Sequence, residues 1–263
     1  MHLHHQPGEP DSLLLTSQTF RVGRARRVLD VVVASLLLLL SLPLLAVAAL
    51  AVAFSDGGPV LFRQDRVGEG GHTFSLLKLR SMRISDSGPA VTASGDDRIT
   101  PVGRFLRRTA IDELPQLWHV LVGQMTLVGP RPEAVSLAAA YPASCRFVLA
   151  ARPGLTGPAQ LRYRETSAQP PTGWDVEQWY LTRLVPVRVD ADLDYLLDPS
   201  LPRTFGHLWR TALFVLGVHD ESPSVAEELR AAETQTGTVA RSISRGSQRA
   251  LRHSPVVRSN SKL

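Results

Sequence analysis

The sequence predicts a helix-dominated α+β chain. Its expected parts are an N-terminal membrane helix read as a re-entrant hairpin, a small β-hairpin, and a compact membrane-associated domain. Three observations carry this. One charge-free apolar run stands alone in the chain, two short β-compatible runs flank a glycine-rich turn, and helical patterning dominates the remainder. At 263 residues the chain can bury one substantial domain with appendages. The expected divisions are a disordered N-terminus over 1–23, a basic flank and membrane helix over 24–56, the main domain over 57–220, and a short helix with a disordered basic tail over 221–263.

The apolar run "VVVASLLLLLSLPLLAVAALAVAF", Val31 to Phe54, is long enough to cross a bilayer core. "AVA" at Ala51–Ala53 resembles a signal-peptidase site, but the region before the run and the run itself are both too long for a signal peptide. Pro43 lies near its middle, where it removes a backbone donor and clashes with the preceding turn, so a bend is expected there. Ser41 can serve backbone groups freed by that break. Each half, at about 1.5 Å per residue, is roughly 18 Å long, enough to reach the bilayer midplane and return. Arg21, Arg24, Arg26 and Arg27 precede the run, and Arg63 and Arg66 follow it. Basic residues at both ends favour a hairpin with both flanks cytoplasmic, with a kinked span as the alternative.

Beyond it, "GPVLFRQDRVG" and "HTFSLLKLRSM" read as strands joined through "GEGG". The small, polar stretch Ile84–Asp97 reads as a loop. "RITPVGRFLRR" follows as a basic amphipathic helix, with Val102, Phe105 and Leu106 on one side and Arg104, Arg107 and Arg108 on the other. A second helix is expected from Asp112 to Gly123, with Pro115 tolerated in its first turn. "LVGPRPE" reads as a rigid loop that holds Arg131, and "ARPGLTGPAQLRYRE" as a second basic loop. "WDVEQWYLTRLV", "DADLDYLLDPSL" and "LWRTALFVLGV" read as further helices.

The formal net charge is +5 and the pI about 10.0, which calls for an anionic partner: phosphates, nucleic acid or an acidic membrane face. No interleaved aromatics or known module support nucleic acid. The single Cys145 excludes an intrachain disulfide and fits a reducing compartment. The histidines of "MHLHH" have no partner cluster that would make them metal ligands.

The chemistry gathers around "RRTAIDELPQLWHVL". Alone, Asp112 and Glu113 beside Arg107 and Arg108 are an ordinary solvated ion pair. Lys78, Arg80, Arg98, Arg104, Arg131, Arg152 and Arg162 add fixed positive charge in stiff segments, and arginine forks match phosphate oxygens. Carboxylates among phosphate-binding arginines fit two tasks: nucleophilic attack on phosphorus, and holding a divalent cation that bridges phosphate oxygens. There is no P-loop and no Cys/His metal cluster.

The motifs "GPVLFRQDRVGEGGHTFSLLKLRSM", "DDRITPVGRFLRRTAIDELPQLWHVLVGQMTLVGPRPE" and "RPGLTGPAQ" closely resemble the bacterial sugar transferases that act on polyprenyl phosphate, the small monotopic phosphoglycosyl transferases. The likeness is collinear from about Arg24 to about Thr211. It implies a transferase that moves a sugar 1-phosphate from a UDP-sugar to undecaprenyl phosphate and releases UMP. It implies further that this occurs at the cytoplasmic face of the bacterial inner membrane with Mg2+, while the basic tail suits anionic lipids rather than nucleic acid. By that resemblance Asp112 attacks the sugar-linked phosphorus to give a phosphosugar-aspartyl intermediate, and Glu113 helps to hold the metal. Lys78 and Arg80 match the family's "KxRSM" segment and Arg131 its "PRP" loop; Arg98, Arg104 and Arg107 complete the expected phosphate-binding set. Ser41 and Pro43 match the family's helix break, which selects the hairpin, and the chain resembles a minimal catalytic unit with an added tail. The competing reading is a catalytically inactive membrane scaffold of a glycan assembly complex.

The sequence departs from the pattern in three places. Leu42 separates Ser41 from Pro43, His119 replaces the asparagine of "LWNVL", and Gln124 replaces the acid of "GDMS", with Thr126 for its serine.

Overall fold

The structure, a computed structural model, describes residues 20–83, 96–163 and 175–218. The chain beyond these ranges, including "MHLHH", most of the expected loop at 84–97 and the tail from 221, lies outside the described residues.

Helix α1, Arg24–Asp56, is 33 residues long and ends at Gly57, whose φ of 69° is a left-handed stop. It is the one described helix long and apolar enough to cross a membrane. The helix runs through Pro43 without ending there, so the bend expected at the proline does not divide it into two helices. Proline removes one amide and crowds one carbonyl, which a helix of good helix formers such as leucine and alanine absorbs without ending. Ser41 Oγ donates to Leu38 O at 3.0 Å. Leu38 and Leu45 pack on the domain, while the leucines at 36, 37, 39, 40, 42 and 44 remain exposed among the described residues.

Its two ends pack on the same domain by different means. Near the start, Arg26 donates to Val128 O (2.9 Å), Arg27 to the carbonyls of Val120 and Leu121, and Asp30 accepts from Thr126 Oγ1 (2.7 Å) and the Leu127 amide (3.1 Å). Arg26 and Asp30 are buried, so these charges dock the helix to the domain rather than standing free in the basic flank. Toward the end, Ala48 and Val52 pack with Leu79 and Leu106 through apolar contact alone.

Strands β1 (Leu61–Val67) and β2 (Thr73–Leu79) form the expected antiparallel hairpin, with Leu61 opposite Leu79 and Val67 opposite Thr73. Helix α2, Pro101–Thr109, starts on a Thr100 cap that accepts from the Gly103 amide, with Pro101 in the first turn. Leu106 and Gly103 face the core while Phe105 is exposed, so the apolar stripe is narrower than the sequence suggested. The helix expected from Asp112 is two pieces. Residues Ile111–Gln116 form a 3-10 segment and Leu117–Val122 form α3, stopped by Gly123 at φ 87°. Pro115 has no amide to donate, which favours the tighter segment before the α-helical turn.

Two three-residue strands, β3 (Thr126–Val128) and β4 (Gly154–Thr156), pair in parallel and were not visible in the sequence. Between them lie α4 (Val135–Ala139) and a 3-10 stretch, Ala143–Ala150. Helix α5 (Pro158–Tyr163) follows β4. Then α6 (Val176–Trp179) runs through a π-helical turn (Tyr180–Leu184) into α7 (Val185–Leu197), and α8 spans Leu201–Val215. One core joins α4, the Ala143–Ala150 stretch and α5–α7, and includes Phe20, which sits 6.5 Å from Phe147. A second joins α1, β2, α3 and β3.

Candidate active site

Asp112 and Glu113 stand where α2 gives way to the 3-10 segment. Ala110, at φ 58°, is the only described non-glycine residue with positive φ, and it turns the chain between the two. At about three residues per turn, adjacent side chains in a 3-10 segment diverge by roughly 120°. Asp112 is accordingly buried, while Glu113 is half-buried, with Oε1 3.6 Å from Arg131 Nη1.

Arg131 is held by the meeting of two backbone loops. Gly129 and Gly154 approach so closely that a side chain on Gly154 would overlap the Gly129 backbone. The Gly129 amide donates to Thr156 O (2.9 Å) and the Gly154 amide to Pro130 O (2.7 Å). The glycines of "VGPRP" and "RPGLTG" thus clamp the arginine loop to β4, which accounts for both motifs physically.

The β-hairpin supplies the next wall. Lys78 stands on β2, 5.3 Å from the Phe62 ring, and Arg66 on β1. Burial, then the neighbouring Arg131 and Arg66, lower the Lys78 pKa to about 8 against the pull of Asp112 and Glu113. Arg66 donates to Pro132 O (3.2 Å) and Gln64 Oε1 (2.7 Å), and lies 3.7 Å from Glu133 Oε1. Burial, followed by Arg131, lowers its pKa also. Arg80 is buried just beyond β2.

Arg98 and Arg107 come from the other side. Arg98 pairs with Asp96, its Nη2 2.6 Å from Oδ2, and this hydrogen bonding lowers the Asp96 pKa and raises that of Arg98. Arg107 Nη1 reaches Met82 Sδ at 3.4 Å.

Asp112, Glu113, Lys78, Arg80, Arg98, Arg107 and Arg131 all line one cleft of about 1270 Å³. Arg108 joins them, but Arg104 does not: it is exposed on α2 and no part of the lining. The cleft also has an apolar flank, formed by Leu37 and Leu44 of α1 and Leu208, Ala212, Val215 and Leu216 at α8.

The sequence did not single out Glu133, Tyr180 or Arg188 as site residues, and took Arg66 only as a flank. All four line the cleft. Glu133 is buried and accepts from Tyr141 Oη (2.8 Å) and Tyr180 Oη (2.5 Å), while Arg188 donates to Tyr180 Oη at 3.1 Å. Burial, then Glu133, raises the Tyr180 pKa to about 12, so the phenol stays a donor. The π-helical turn begins at Tyr180, a local irregularity of the kind that re-aims side chains at functional sites. Only the glutamate after "PRP" was a usable signal in the sequence.

Among the described residues, no three acidic, histidine or cysteine side chains cluster as a self-sufficient metal site. A hard divalent cation needs only one or two carboxylates when phosphate and water oxygens complete its shell. Glu113, in the same cleft as the cations, fits that requirement.

A family model described as bacterial sugar transferase matches residues 21–217. The chain is 46% identical over 195 residues to a UDP-glucose:undecaprenyl-phosphate glucose-1-phosphate transferase of Caulobacter vibrioides, covering 72% of this chain and 69% of that protein. A protein described in the same words from Escherichia coli K12 is 40% identical over 181 residues, 67% of this chain but 37% of the relative. The exopolysaccharide production protein ExoY of Rhizobium meliloti is 38% identical over 159 residues, 54% of this chain and 70% of its own length.

Proposed function

The chain belongs to the bacterial sugar transferase family, and on that premise we propose that it transfers a sugar 1-phosphate from a UDP-sugar to undecaprenyl (polyprenyl) phosphate, releasing UMP. The step would initiate assembly of an exopolysaccharide or glycoconjugate at the cytoplasmic face of the inner membrane. One observation carries the reading: the buried Asp112 opens on a cleft with a wall of lysine and arginine cations, whose chemistry matches phosphate oxygens, and an apolar flank suited to an isoprenoid chain.

In the first step, an Asp112 carboxylate oxygen bonds to the sugar-bearing phosphorus as the bond from that phosphorus to the bridging oxygen breaks. UMP leaves with the electron pair. Lys78, Arg80 and Arg131 hold the diphosphate and offset the charge gathering on the leaving phosphate. In the second step, a polyprenyl phosphate oxygen attacks the same phosphorus and Asp112 departs as a carboxylate, so no proton changes hands. Glu113 would hold Mg2+, which when bound neutralises phosphate charge. Tyr180 and Arg188 keep Glu133 and Arg66 in register beside Arg131.

The helix α1 is read as dipping into the bilayer and returning. Supporting this, both its ends pack on one domain while the leucines at 36, 37, 39, 40, 42 and 44 between them are exposed.

The deciding experiment is intact-mass analysis of the protein mixed with UDP-sugar and no lipid acceptor. The expected result is a phosphosugar adduct on Asp112, absent from Asp112→Asn. Turnover without any adduct at single-turnover times rejects the covalent route, and no UMP release under any UDP-sugar leaves the scaffold reading.

A further inference from the structure

We propose that His119 is a positioning residue for Lys78, acting as a neutral Nδ1–H imidazole whose bare Nε2 accepts the outward-facing amide of Leu77. The Arg80 amide points to β1, donating to Val60 O at 2.9 Å. Amides alternate in direction along a strand, so that of Leu77 leaves the opposite edge of β2. His119 Nε2 receives it there at 3.0 Å. A backbone amide only donates, so Nε2 is unprotonated and the neutral ring carries its proton on Nδ1. That nitrogen lies 2.6 Å from Gln124 Oε1, which accepts the proton's hydrogen bond and fixes the tautomer. The ring is buried, edge-on to Phe74 at 5.2 Å, and the His119 carbonyl accepts the Met125 amide at 3.0 Å.

The ring therefore ties α3 to β2 at the residue before Lys78. Strand β2 in turn packs on the Ile111–Gln116 segment that carries Asp112. An untethered edge amide would let the strand twist away and carry the Lys78 ammonium out of line with the acids. Gln124 belongs to the same unit. A carboxylate there would favour a doubly protonated ring and set Nε2–H against the Leu77 N–H. An asparagine at 119 with an aspartate at 124 preserves the same order, oxygen toward Leu77 and N–H toward the acid. The two departures are therefore one exchange of a matched pair.

The kinetic part of this inference rests on reading Lys78 as a diphosphate ligand; the tautomer does not. The full chain, labelled with 15N-histidine in detergent micelles, is expected to show His119 Nε2 unprotonated in two-bond 15N–1H correlation spectra. A protonated Nε2 overturns the proposal. His119→Phe keeps the ring volume and should raise the KM for UDP-sugar about tenfold, the scale of one buried donor left unpaired, with kcat within about twofold. An unchanged KM, or a loss in kcat alone, overturns it. His119→Asn combined with Gln124→Asp should restore KM to within about twofold of the parent where His119→Asn alone does not; equal defects in both overturn the matched pair. Equilibrium binding of UDP reads the same shifts if the parent releases no UMP, which separates failure of this proposal from failure of the proposed reaction.

Discussion

The cleft carries its positive charge in two different environments. On the inner wall, Arg66 is buried and Lys78 largely so, and Glu133, Tyr141 and Tyr180 interlock behind Arg66. On the rim, Arg108 stands exposed on α2. Charge in a low-dielectric wall is strong, costly and tunable, whereas charge at the rim is screened by solvent and salt. Inner-wall residues should thus set chemistry and stability, and rim residues should set only encounter.

The sharpest test of that division is the buried acid facing the inner wall. Asp112→Asn should lower turnover by at least about 10⁴-fold, as loss of a covalent nucleophile does, with UDP binding preserved. UMP release would be assayed, and a loss under about tenfold breaks the distinction between wall and rim. Next in size is Glu133→Gln. The Arg66–Glu133 pair has side chains only 9% and 5% exposed, so removing the carboxylate leaves a buried guanidinium without its counter-charge. Stability should fall by about 3 kcal/mol, measured by urea unfolding in micelles. A loss near zero would show the wall to be as solvated as the rim.

The same contrast explains what could be read from the sequence. The β-hairpin was legible because its glycine turn and β-compatible flanks are local signals, and so was the stop of α3 at Gly123. Asp112 and Glu113 became legible only through their collinear neighbours, since the dipeptide alone is a common surface pair. Tyr180 and Arg188 were not legible, and Glu133 was marked only by its place after "PRP". Their roles arise from contacts across long stretches of chain, through β3–β4 pairing and a π-helical turn that no local pattern announces. Arg104 is the converse: its charge and spacing matched Arg107 and Arg108, but it stands exposed on α2 and is not part of the cleft lining.

Lys78 puts the inner wall under pH control. It is the one lysine among the described residues, where arginine serves elsewhere, and only lysine can lose its charge in this range. With its pKa lowered to about 8, the ammonium is present below that pH and lost above it. The KM for UDP-sugar should rise above pH 8 by up to about tenfold per unit, and Lys78→Arg should flatten that rise. The stability sign is opposite. Between the folded value near 8 and the ordinary 10.5, the unfolded chain binds more protons, so stability rises with pH through that window. A KM that is flat from pH 7 to 9.5 would place Lys78 in a solvated setting like the rim.

The smallest expected effect separates two arginines on one helix. Arg108 lines the cleft and Arg104 does not, although both are exposed on α2. A screened rim charge acts over about one Debye length, roughly 10 Å at 0.1 M salt and 3 Å at 1 M. Arg108→Gln should therefore lower kcat/KM about threefold at low ionic strength and leave it nearly unchanged at 1 M salt, with kcat constant throughout. Arg104→Gln should shift the same parameter by less than about 1.5-fold at either salt. Equal effects from the two would mean that the rim acts through the overall field of α2 rather than through the cleft. A threefold loss for Arg108→Gln that persists at 1 M salt would move that guanidinium to the inner wall, in direct contact with phosphate and shielded from solvent ions.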